Sequence, residues 1–364
     1  MNARAFLRIS VAILAAAGTL AASHTSAQPA PAARPSPNAA LKPLADPKLT
    51  VALASPSMTW LPAYVADAGG FFKAMGLDVK MIVTSTGQTT TAAILSGDAD
   101  IAGAGTQAPL QAFDQGQKTI IFSPGVINNT AVIAASNSWM KAKGLTPKSP
   151  IATKVAAMKD ATIGVPSIGS GADLLLRYIV SKHGGNPSTM NIAPIWPESA
   201  QLTAMQRGRM DVGTIAVPGA QIAENEGVGS LFIDTIHGDA PEVNGLLYTG
   251  YVATPTVIQK KREALVRFTA ALGMANRLIH ADPAKAASIA HQGQYRETDV
   301  RLLEQAIKFL AAAVPTKLEM SPAEMQRNID IWGEVYGKKL RVTAEQATDF
   351  TIGREADALL ASHK

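Results

Sequence analysis

The amino-acid sequence predicts an α/β protein built from two doubly wound α/β lobes joined by a two-segment hinge. Between residues 48 and 255, short apolar runs alternate with helical stretches, which is typical of mainly parallel sheets with helices on both faces. A set of Gly and Asp positions returns at a constant distance along the chain, which indicates two similar units. After Pro255 the pattern is helical alone.

The repeated positions relate the two units by one offset. Gly97 and Asp100 in ILSGDADIAGAG match Gly208 and Asp211 in MQRGRMDVGTIA, 111 residues later. The same offset relates two further pairs, Gly116 with Gly227 and the stretch Ala54–Ser57 with Val165–Ile168. Four landmarks at one offset favour two α/β units that present equivalent loops to a shared cleft.

The amino-terminal residues predict export. Residues 1–27 carry two arginines, then an apolar run and a small-residue end (TSA), which is the order of a secretory signal peptide. The apolar run is shorter than a bilayer span, so we expect a soluble periplasmic protein rather than an anchored one. Residues 28–46 contain five prolines and many alanines, and they are expected to form a flexible or polyproline-like leader.

Composition excludes several classes of function. Loss of the signal segment reduces the 33 basic side chains by two, to 31 against 28 acidic ones, and no basic run is dense enough to grip nucleic acid. The chain has no Cys, which excludes cysteine-ligated zinc and a cysteine nucleophile. Its six histidines fall in no metal or triad spacing, and there is no Gly-x-Ser-x-Gly elbow. We therefore expect no enzyme activity, no metal and no cofactor.

The elements of the two units follow in order. The first unit is expected to contain a helix that ends at Ala68, a short helix closed by Gly76, and strands at Leu49–Ala54, Asp78–Val83 and Ile120–Ser123. The second is expected to contain a helix from Gly171 to His183 and strands at Ala161–Val165, Asn191–Ile195, Asp211–Ala216 and Ser230–Asp234. Residues 138–154 are predicted to form a surface excursion.

Two extended segments, residues 128–136 and 246–253, are predicted to cross between the units and to form the hinge. The first lobe then comprises 47–130 with 250–364, and the second comprises 131–249. Beyond Pro255, apolar residues at helical spacing predict helices that buttress the first lobe. Ser321-Pro322 with Glu324 predicts a capped helix start, and Trp332 is expected to pack in the core.

Candidate binding residues lie in the loops at the carboxyl ends of the strands, where open α/β sheets bind ligands. Ser, Thr and Gly there let an anionic ligand approach the free N–H groups of a helix start, although ordinary N-capping explains a single loop equally well. The first lobe offers Ser57, Thr59, Trp60, Ser85, Thr86, Gly87, Gly105 and Thr106. The second lobe offers Ser167, Gly169, Ser170, Gly171, Trp196, Glu198, Val217 and Pro218.

Three of these residues leave alternatives open. Trp60 and Trp196 are each as consistent with core packing as with an apolar wall of the cleft. Glu198 is explained by its place at a helix start. Only if Glu198 faces the cleft would it favour a solute that carries an amine as well as an acid.

Several stretches resemble one known family. FFKAMGLDV, GQTTTAAILSGDADIAGAG and GRMDVGTIAVP are similar to bacterial extracytoplasmic solute-binding proteins of the group related in fold to the thiamine-pyrimidine synthases. That group includes aliphatic-sulfonate, taurine and nitrate binders. The resemblance covers residues 48–255 and implies a type II periplasmic-binding-protein fold, whose lobes close on a small solute and deliver it to an ABC permease in the inner membrane. Lys159-Asp160-Ala161 departs from the Lys-Gly turn that is usual in the relatives.

The resemblance and the loop chemistry together predict a periplasmic monomer that captures a small organic anion of sulfonate or carboxylate type. Two alternatives stay open, a ligand-sensing subunit for a membrane receptor and a binder of a neutral pyrimidine or thiamine-precursor solute. A neighbouring permease and ATPase gene would favour import over sensing. The eukaryotic synthases of similar fold depend on a Cys–His cluster, which a chain without Cys cannot supply.

Overall fold

The structure is a computed structural model that describes residues 41–362, so the predicted signal peptide and most of the 28–46 leader lie outside the described residues. Two five-stranded sheets, ordered β2-β1-β3-β10-β4 and β7-β6-β8-β5-β9, form the centres of the two lobes. The strands are β1 Lys48–Leu53, β2 Asp78–Val83, β3 Ile101–Gly105, β4 Ile120–Pro124, β5 Ala131–Ser136, β6 Thr162–Val165, β7 Asn191–Pro194, β8 Val212–Ala216, β9 Gly229–Ile233 and β10 Thr249–Ala253. The predicted fold class is confirmed.

Helices cover these sheets and continue alone to the carboxyl terminus of the described chain. They are α1 Leu61–Ala68, α2 Phe71–Ala74, α3 Gly87–Ser96, α4 Gln107–Asp114, α5 Asn137–Ala142, α6 Ile151–Ala157, α7 Gly171–Lys182, α8 Glu198–Gln206, α9 Gly219–Asn225, α10 Pro255–Lys260, α11 Arg262–Ala281, α12 Pro283–Gln292, α13 Val300–Leu310, α14 Pro322–Val335, α15 Ala344–Ala347 and α16 Thr351–Ser362. None of the helices in residues 41–362 has the length and apolar character needed to cross a membrane.

The sequence repeat has a structural cause. A carboxylate oxygen of Asp100 accepts a hydrogen bond of 2.9 Å from the N–H of Thr50 in the first half of strand β1. Asp211 accepts the equivalent bond of 2.8 Å from Thr162 in β6. The repeated glycines all adopt positive φ, the conformation that glycine enters without steric cost: Gly97 at 87°, Gly116 at 92°, Gly208 at 65° and Gly227 at 67°.

The predicted crossings are wrong in their bounds. Most of residues 128–136 forms β5, which pairs antiparallel with β8 and β9 inside the second sheet. Most of 246–253 forms β10, which pairs antiparallel with β3 and β4 inside the first sheet. A sequence pattern shows that a stretch is extended but does not show which neighbour it pairs with. The connections between the sheets are residues 125–130 and 234–248.

Asn128 ties these two connections together. Its backbone N–H donates to the carbonyl of Leu246 at 2.8 Å. Its side-chain amide donates to the carbonyl of Ile236 at 2.9 Å and accepts from the N–H of Gly245 at 2.7 Å. Asn128 has φ 60°, a left-handed conformation that Asn tolerates better than most residues. The exact lobe boundaries that the sequence suggests stay a prediction.

Among the carboxyl-terminal helices, α11 packs on the elements of the first sheet. Leu265 and Leu272 of α11 are buried in the core, and Phe268 stacks on Phe72 of α2 with ring centroids 5.1 Å apart. The helix α14 differs, because its side chains contact both lobes. Its predicted capping box at Ser321 and Glu324 is present.

The 138–154 stretch is only partly a surface excursion. Lys154 in α6 is 3% exposed, and its ammonium donates to the carbonyl of Pro147 at 2.6 Å and to that of Phe232. Burial lowers the pKa of Lys154, and Asp239 partly offsets that effect. Lys154 therefore attaches the 138–154 stretch to β9. The sequence did not predict this contact, because burying a charged side chain is costly and a lysine is expected at the surface.

Candidate functional site

A cavity of about 300 Å³ lies between the lobes at the carboxyl ends of the central strands. Eleven of the predicted residues line it: Ser57, Thr59, Trp60, Ser85, Thr86, Gly87, Gly105, Ser167, Ser170, Gly171 and Trp196. The strand order explains why these residues lie around one cavity, because the loops after β1, β2 and β3 face the loops after β6 and β7 across the cleft. Whether these residues bind a solute stays a prediction.

Other residues of the cavity wall were not predicted from the sequence. They are Ala54, Ser55, Gln88, Gln107, Ala131, Pro166, Ala172, Ala216, Tyr248 and Thr249. None of the described residues that line the cavity carries a charged side chain. The walls therefore offer hydroxyl, amide and backbone groups together with aromatic surface.

Two helix starts from opposite lobes contribute to this wall. Thr86 caps α3 and accepts from the N–H of Thr89 at 3.1 Å, while Ser170 caps α7 and accepts from Asp173 at 3.3 Å. In each case the cap takes the N–H of the third helical residue, and the two preceding N–H groups have no intrahelical acceptor. Gly87 and Gly171 occupy the first helical positions, so a ligand can approach these N–H groups closely.

The two tryptophans differ in their surroundings. Trp60 is 1% exposed and packs edge-on against Tyr251 with ring centroids 5.8 Å apart, so it belongs to the core as well as to the cavity wall. Its indole N–H has no partner among the described residues. Trp196 is 45% exposed and lines the cavity. A half-exposed tryptophan at a cavity is available to cover a ligand.

Gln107 of the first lobe lies close to the second lobe at the cavity wall. It is 3% exposed, and its side-chain oxygen has no hydrogen-bond partner among residues 41–362. A Cβ atom placed on Gly171 of the second lobe would lie 3.2 Å from Nε2 of Gln107 and 3.2 Å from Cε2 of Tyr248. The position of Gln107 directly after the Gly105-Thr106 loop was the available signal, but an amide lacks the hydroxyl and glycine character that selected the other residues.

Thr106 is the main correction to the predicted site. It is fully buried and does not line the cavity. Its hydroxyl donates to the carbonyl of Leu247 at 2.6 Å and accepts from Asn328 at 3.2 Å and from the indole N–H of Trp332 at 3.0 Å. A hydroxyl has one donor and two acceptor lone pairs, so this one has no capacity left for a solute.

Four other predicted residues are not placed at the wall. Gly169 has φ 79° and donates its N–H to Asp173 at 2.8 Å, which is a turn-forming role. Val217 is buried in the core and Pro218 precedes α9, while their neighbour Ala216 reaches the cavity instead. Glu198 begins α8, but its side chain lies outside the described residues.

The groups at this site are mainly neutral hydrogen-bonding groups and aromatic rings. Within the described residues there is no group of three or more His, Asp or Glu side chains that could hold a metal ion. Burial raises the pKa of Tyr251 and keeps its phenol neutral beside Trp60. What the arrangement can do is enclose a small molecule between two lobes and satisfy its oxygen atoms with hydroxyl and N–H donors.

Two lobes with this strand order and a cleft at the carboxyl ends of their strands are the architecture of the type II periplasmic-binding-protein fold, and the solute-binding proteins that share it are not enzymes. The chain belongs to the NMT1-like family, whose family model matches residues 45–292. A relative is YtlA of Bacillus subtilis (strain 168), provisionally named as a binding protein. It is 24% identical over 269 residues, which are 72% of this chain and 75% of that one.

Solved structures show the same fold at lower identity. A protein from Bordetella bronchiseptica RB50 matches with a TM-score of 0.72 at 19% identity, covering 87% of this chain and 98% of the other. The nitrate-binding protein NrtA of Synechocystis PCC 6803 matches with 0.68 at 15%, covering 88% and 92%. The alkanesulfonate-binding protein SsuA of Xanthomonas axonopodis pv. citri, bound to MOPS, matches with 0.66 at 16%, covering 84% and 99%.

Proposed function

We propose that this protein is the periplasmic solute-binding component of an ABC importer and captures a small organic anion of sulfonate or carboxylate type between its lobes. The observation that carries the proposal is the composition of the cavity wall. Hydroxyl groups and two helix starts, those of α3 and α7, come from opposite lobes. Such donors stabilise an anion without a full positive charge on the protein.

The comparisons support an anion without identifying it. Two of the structural neighbours are named for alkanesulfonate and nitrate. The cavity volume of about 300 Å³ suits a solute larger than nitrate but still small. Trp60 and Trp196 would then contact the apolar part of the solute, with its acidic group at the helix starts.

The cellular role rests on the export signal predicted at residues 1–27. After its removal we expect a periplasmic monomer that delivers the solute to a permease in the inner membrane. Uptake of the labelled solute into cells with and without the gene tests import. Normal uptake without the gene would favour the alternative role, a sensing subunit for a membrane receptor.

The solute itself is tested on the purified protein. Native mass spectrometry of the exported protein should reveal a co-purifying acid of low mass. Calorimetric titration with ethanesulfonate, taurine, nitrate, small carboxylates and a neutral aminopyrimidine should then give the strongest binding with an organic anion. Binding of the neutral compound alone would overturn the anion proposal.

One observation favours a second candidate, a neutral pyrimidine. No described lining residue is charged, and Trp60, Trp196 and Tyr248 could stack on a flat heterocycle while Gln88 and Gln107 bond its edge. The same titration separates the two candidates, because a pyrimidine site should be indifferent to sulfonates.

A further inference from the structure

Helix α7 of the second lobe meets the first lobe at both of its ends. At its start, Gly171 lies against Gln107 and Tyr248, the contact described for the cavity wall. Three turns later, outside the cavity, Tyr178 and Lys182 contact Glu334 of α14. The second contact involves no residue of the cavity wall, so it can act on the site only through the helices that carry it.

The contact between α7 and α14 centres on one carboxylate oxygen. Oε2 of Glu334 lies 2.7 Å from the ammonium of Lys182 and accepts a 3.1 Å hydrogen bond from the hydroxyl of Tyr178. The same ammonium lies 5.0 Å from the centre of the Tyr178 ring. The hydrogen bonds from Lys182 and Tyr178 lower the pKa of Glu334, so the carboxylate is charged at neutral pH. The three groups form a compact polar cluster between the lobes.

Helix α14 is itself fixed to the first lobe and to one connection between the lobes. Trp332 and Asn328 hold Thr106 at the start of α4. Arg327 donates to the carbonyls of Asn244 at 2.7 Å and Glu242 at 3.3 Å, both in the 234–248 connection. Glu334 is therefore presented to α7 from a helix that does not belong to the second lobe.

We propose that Glu334 is a positioning residue for the solute site, holding α7 so that Ser170 and Gly171 stay at the cavity wall. The contact of Glu334 with Lys182 and Tyr178 exists only when both lobes line the cavity. It therefore stabilises that conformation relative to one in which the lobes are separated. A contact that favours one of two conformations changes ligand affinity by the population it shifts, although it never touches the ligand. The inference rests on the two-lobe fold and needs no particular solute.

The expected effect is modest. The side chains of Lys182 and Glu334 are 44% and 55% exposed, and exposed ion pairs contribute little individually. Loss of the pair together with the Tyr178 hydrogen bond should change the ratio of conformations about two- to fivefold. Glu334→Lys should shift it further, because it places two cations where one ion pair stood.

The experiment measures the distance between the lobes without a solute. The chain has no Cys, so Ala92→Cys on α3 and Arg207→Cys after α8, both exposed, give two unique spin-label positions. Pulsed electron paramagnetic resonance on the doubly labelled protein should show more long distances in Glu334→Gln than in wild type, and more again in Glu334→Lys. The charge swap Lys182→Glu with Glu334→Lys should restore the wild-type distribution.

A matched control is Glu304→Gln, which removes a partly exposed carboxylate 2.6 Å from Lys308 within the single helix α13. It should leave the distance distribution unchanged. Thermal melts of every variant check that the fold is intact. If both Glu334 variants give the wild-type distance distribution, the positioning role is overturned. The proposed function is tested separately, by the calorimetric titration with anions and a neutral aminopyrimidine.

Discussion

The indole N–H of Trp332 donates a 3.0 Å hydrogen bond to the hydroxyl of Thr106, although 226 residues separate them in the chain. The bond joins α14 to the start of α4, one residue before Gln107 at the cavity wall. Asp114 at the other end of α4 accepts from the ammonium of Lys338 at 2.5 Å and from the N–H of Arg341 at 2.6 Å. Helix α14 and the turn after it thus secure both ends of α4.

Thr106→Val should destabilise the fold rather than remove a solute contact. The substitution keeps the shape but leaves three buried partners, the Leu247 carbonyl, Asn328 and Trp332, without the hydroxyl. An unsatisfied buried group costs about 1–3 kcal/mol, so we expect a loss of at least about 2 kcal/mol in urea denaturation. Thr316→Val, at an exposed position, is the control. Unchanged stability with abolished binding would contradict this account.

Ser170→Ala should weaken anion binding about 10- to 100-fold. Loss of a hydrogen bond to a charged group costs about 1.5–3 kcal/mol, and each step of about 1.4 kcal/mol is tenfold in affinity. Ser170 also caps α7, so some stability is lost as well. Ser136→Ala removes a comparable cap, that of α5, away from the cavity, and it should leave affinity unchanged. Calorimetry with the tightest anion of the panel makes the comparison; equal affinities in the two variants would refute a role for the Ser170 hydroxyl.

Asp114 should make stability depend on pH in the acid range. The hydrogen bonds from Lys338 and Arg341 lower the pKa of Asp114 below the value of about 3.9 expected in the unfolded chain. A lowered folded-state pKa stabilises fully above the unfolded value, and the stabilisation is lost as pH falls through the folded value. Denaturation from pH 6 to pH 2.5 should show wild type converging on Asp114→Asn at the acid end.

The control for that series is Asp160→Asn. Asp160 is 69% exposed and lies 3.5 Å from Lys143, and exposed ion pairs contribute little, so its removal should change the stability at pH 6 little. A constant gap between wild type and Asp114→Asn down to pH 2.5 would show that the ionised carboxylate is not the stabilising form.

The sequence could predict the features that depend only on residues close together in the chain. The repeated glycines mark turns with positive φ, and the repeated carboxylates of Asp100 and Asp211 accept a backbone hydrogen bond from a neighbouring strand. Their constant spacing therefore predicted the two-unit architecture. Helix starts rich in Ser, Thr and Gly likewise disclosed most of the cavity wall. These features need only residue type and spacing, which one sequence contains.

What it could not predict depends on partners distant in the chain. Thr106 has the residue type of a ligand contact, and only the packing of Asn328 and Trp332 turns it into a structural hydroxyl. The pairing of β5 and β10 inside the sheets is equally non-local. The equivalent loops of the repeat, at Thr106 and Val217, therefore differ: the Thr106 hydroxyl bonds to α14, whereas Val217 is a buried apolar residue without a hydroxyl.

Asn128 should prove important to the junction of the lobes in two separable ways. Asn128→Gly keeps the left-handed backbone accessible but removes the side-chain bonds to Ile236 and Gly245, and we expect a loss of about 1–3 kcal/mol in urea denaturation. Asn128→Ala loses the same bonds and also places a Cβ at φ 60°, which costs roughly 1–2 kcal/mol more. That strain should outweigh the smaller entropy of the unfolded alanine chain. Equal stability of the two variants would show that residue 128 is not left-handed in solution, and wild-type stability of Asn128→Gly would show that the amide does not hold the connections together.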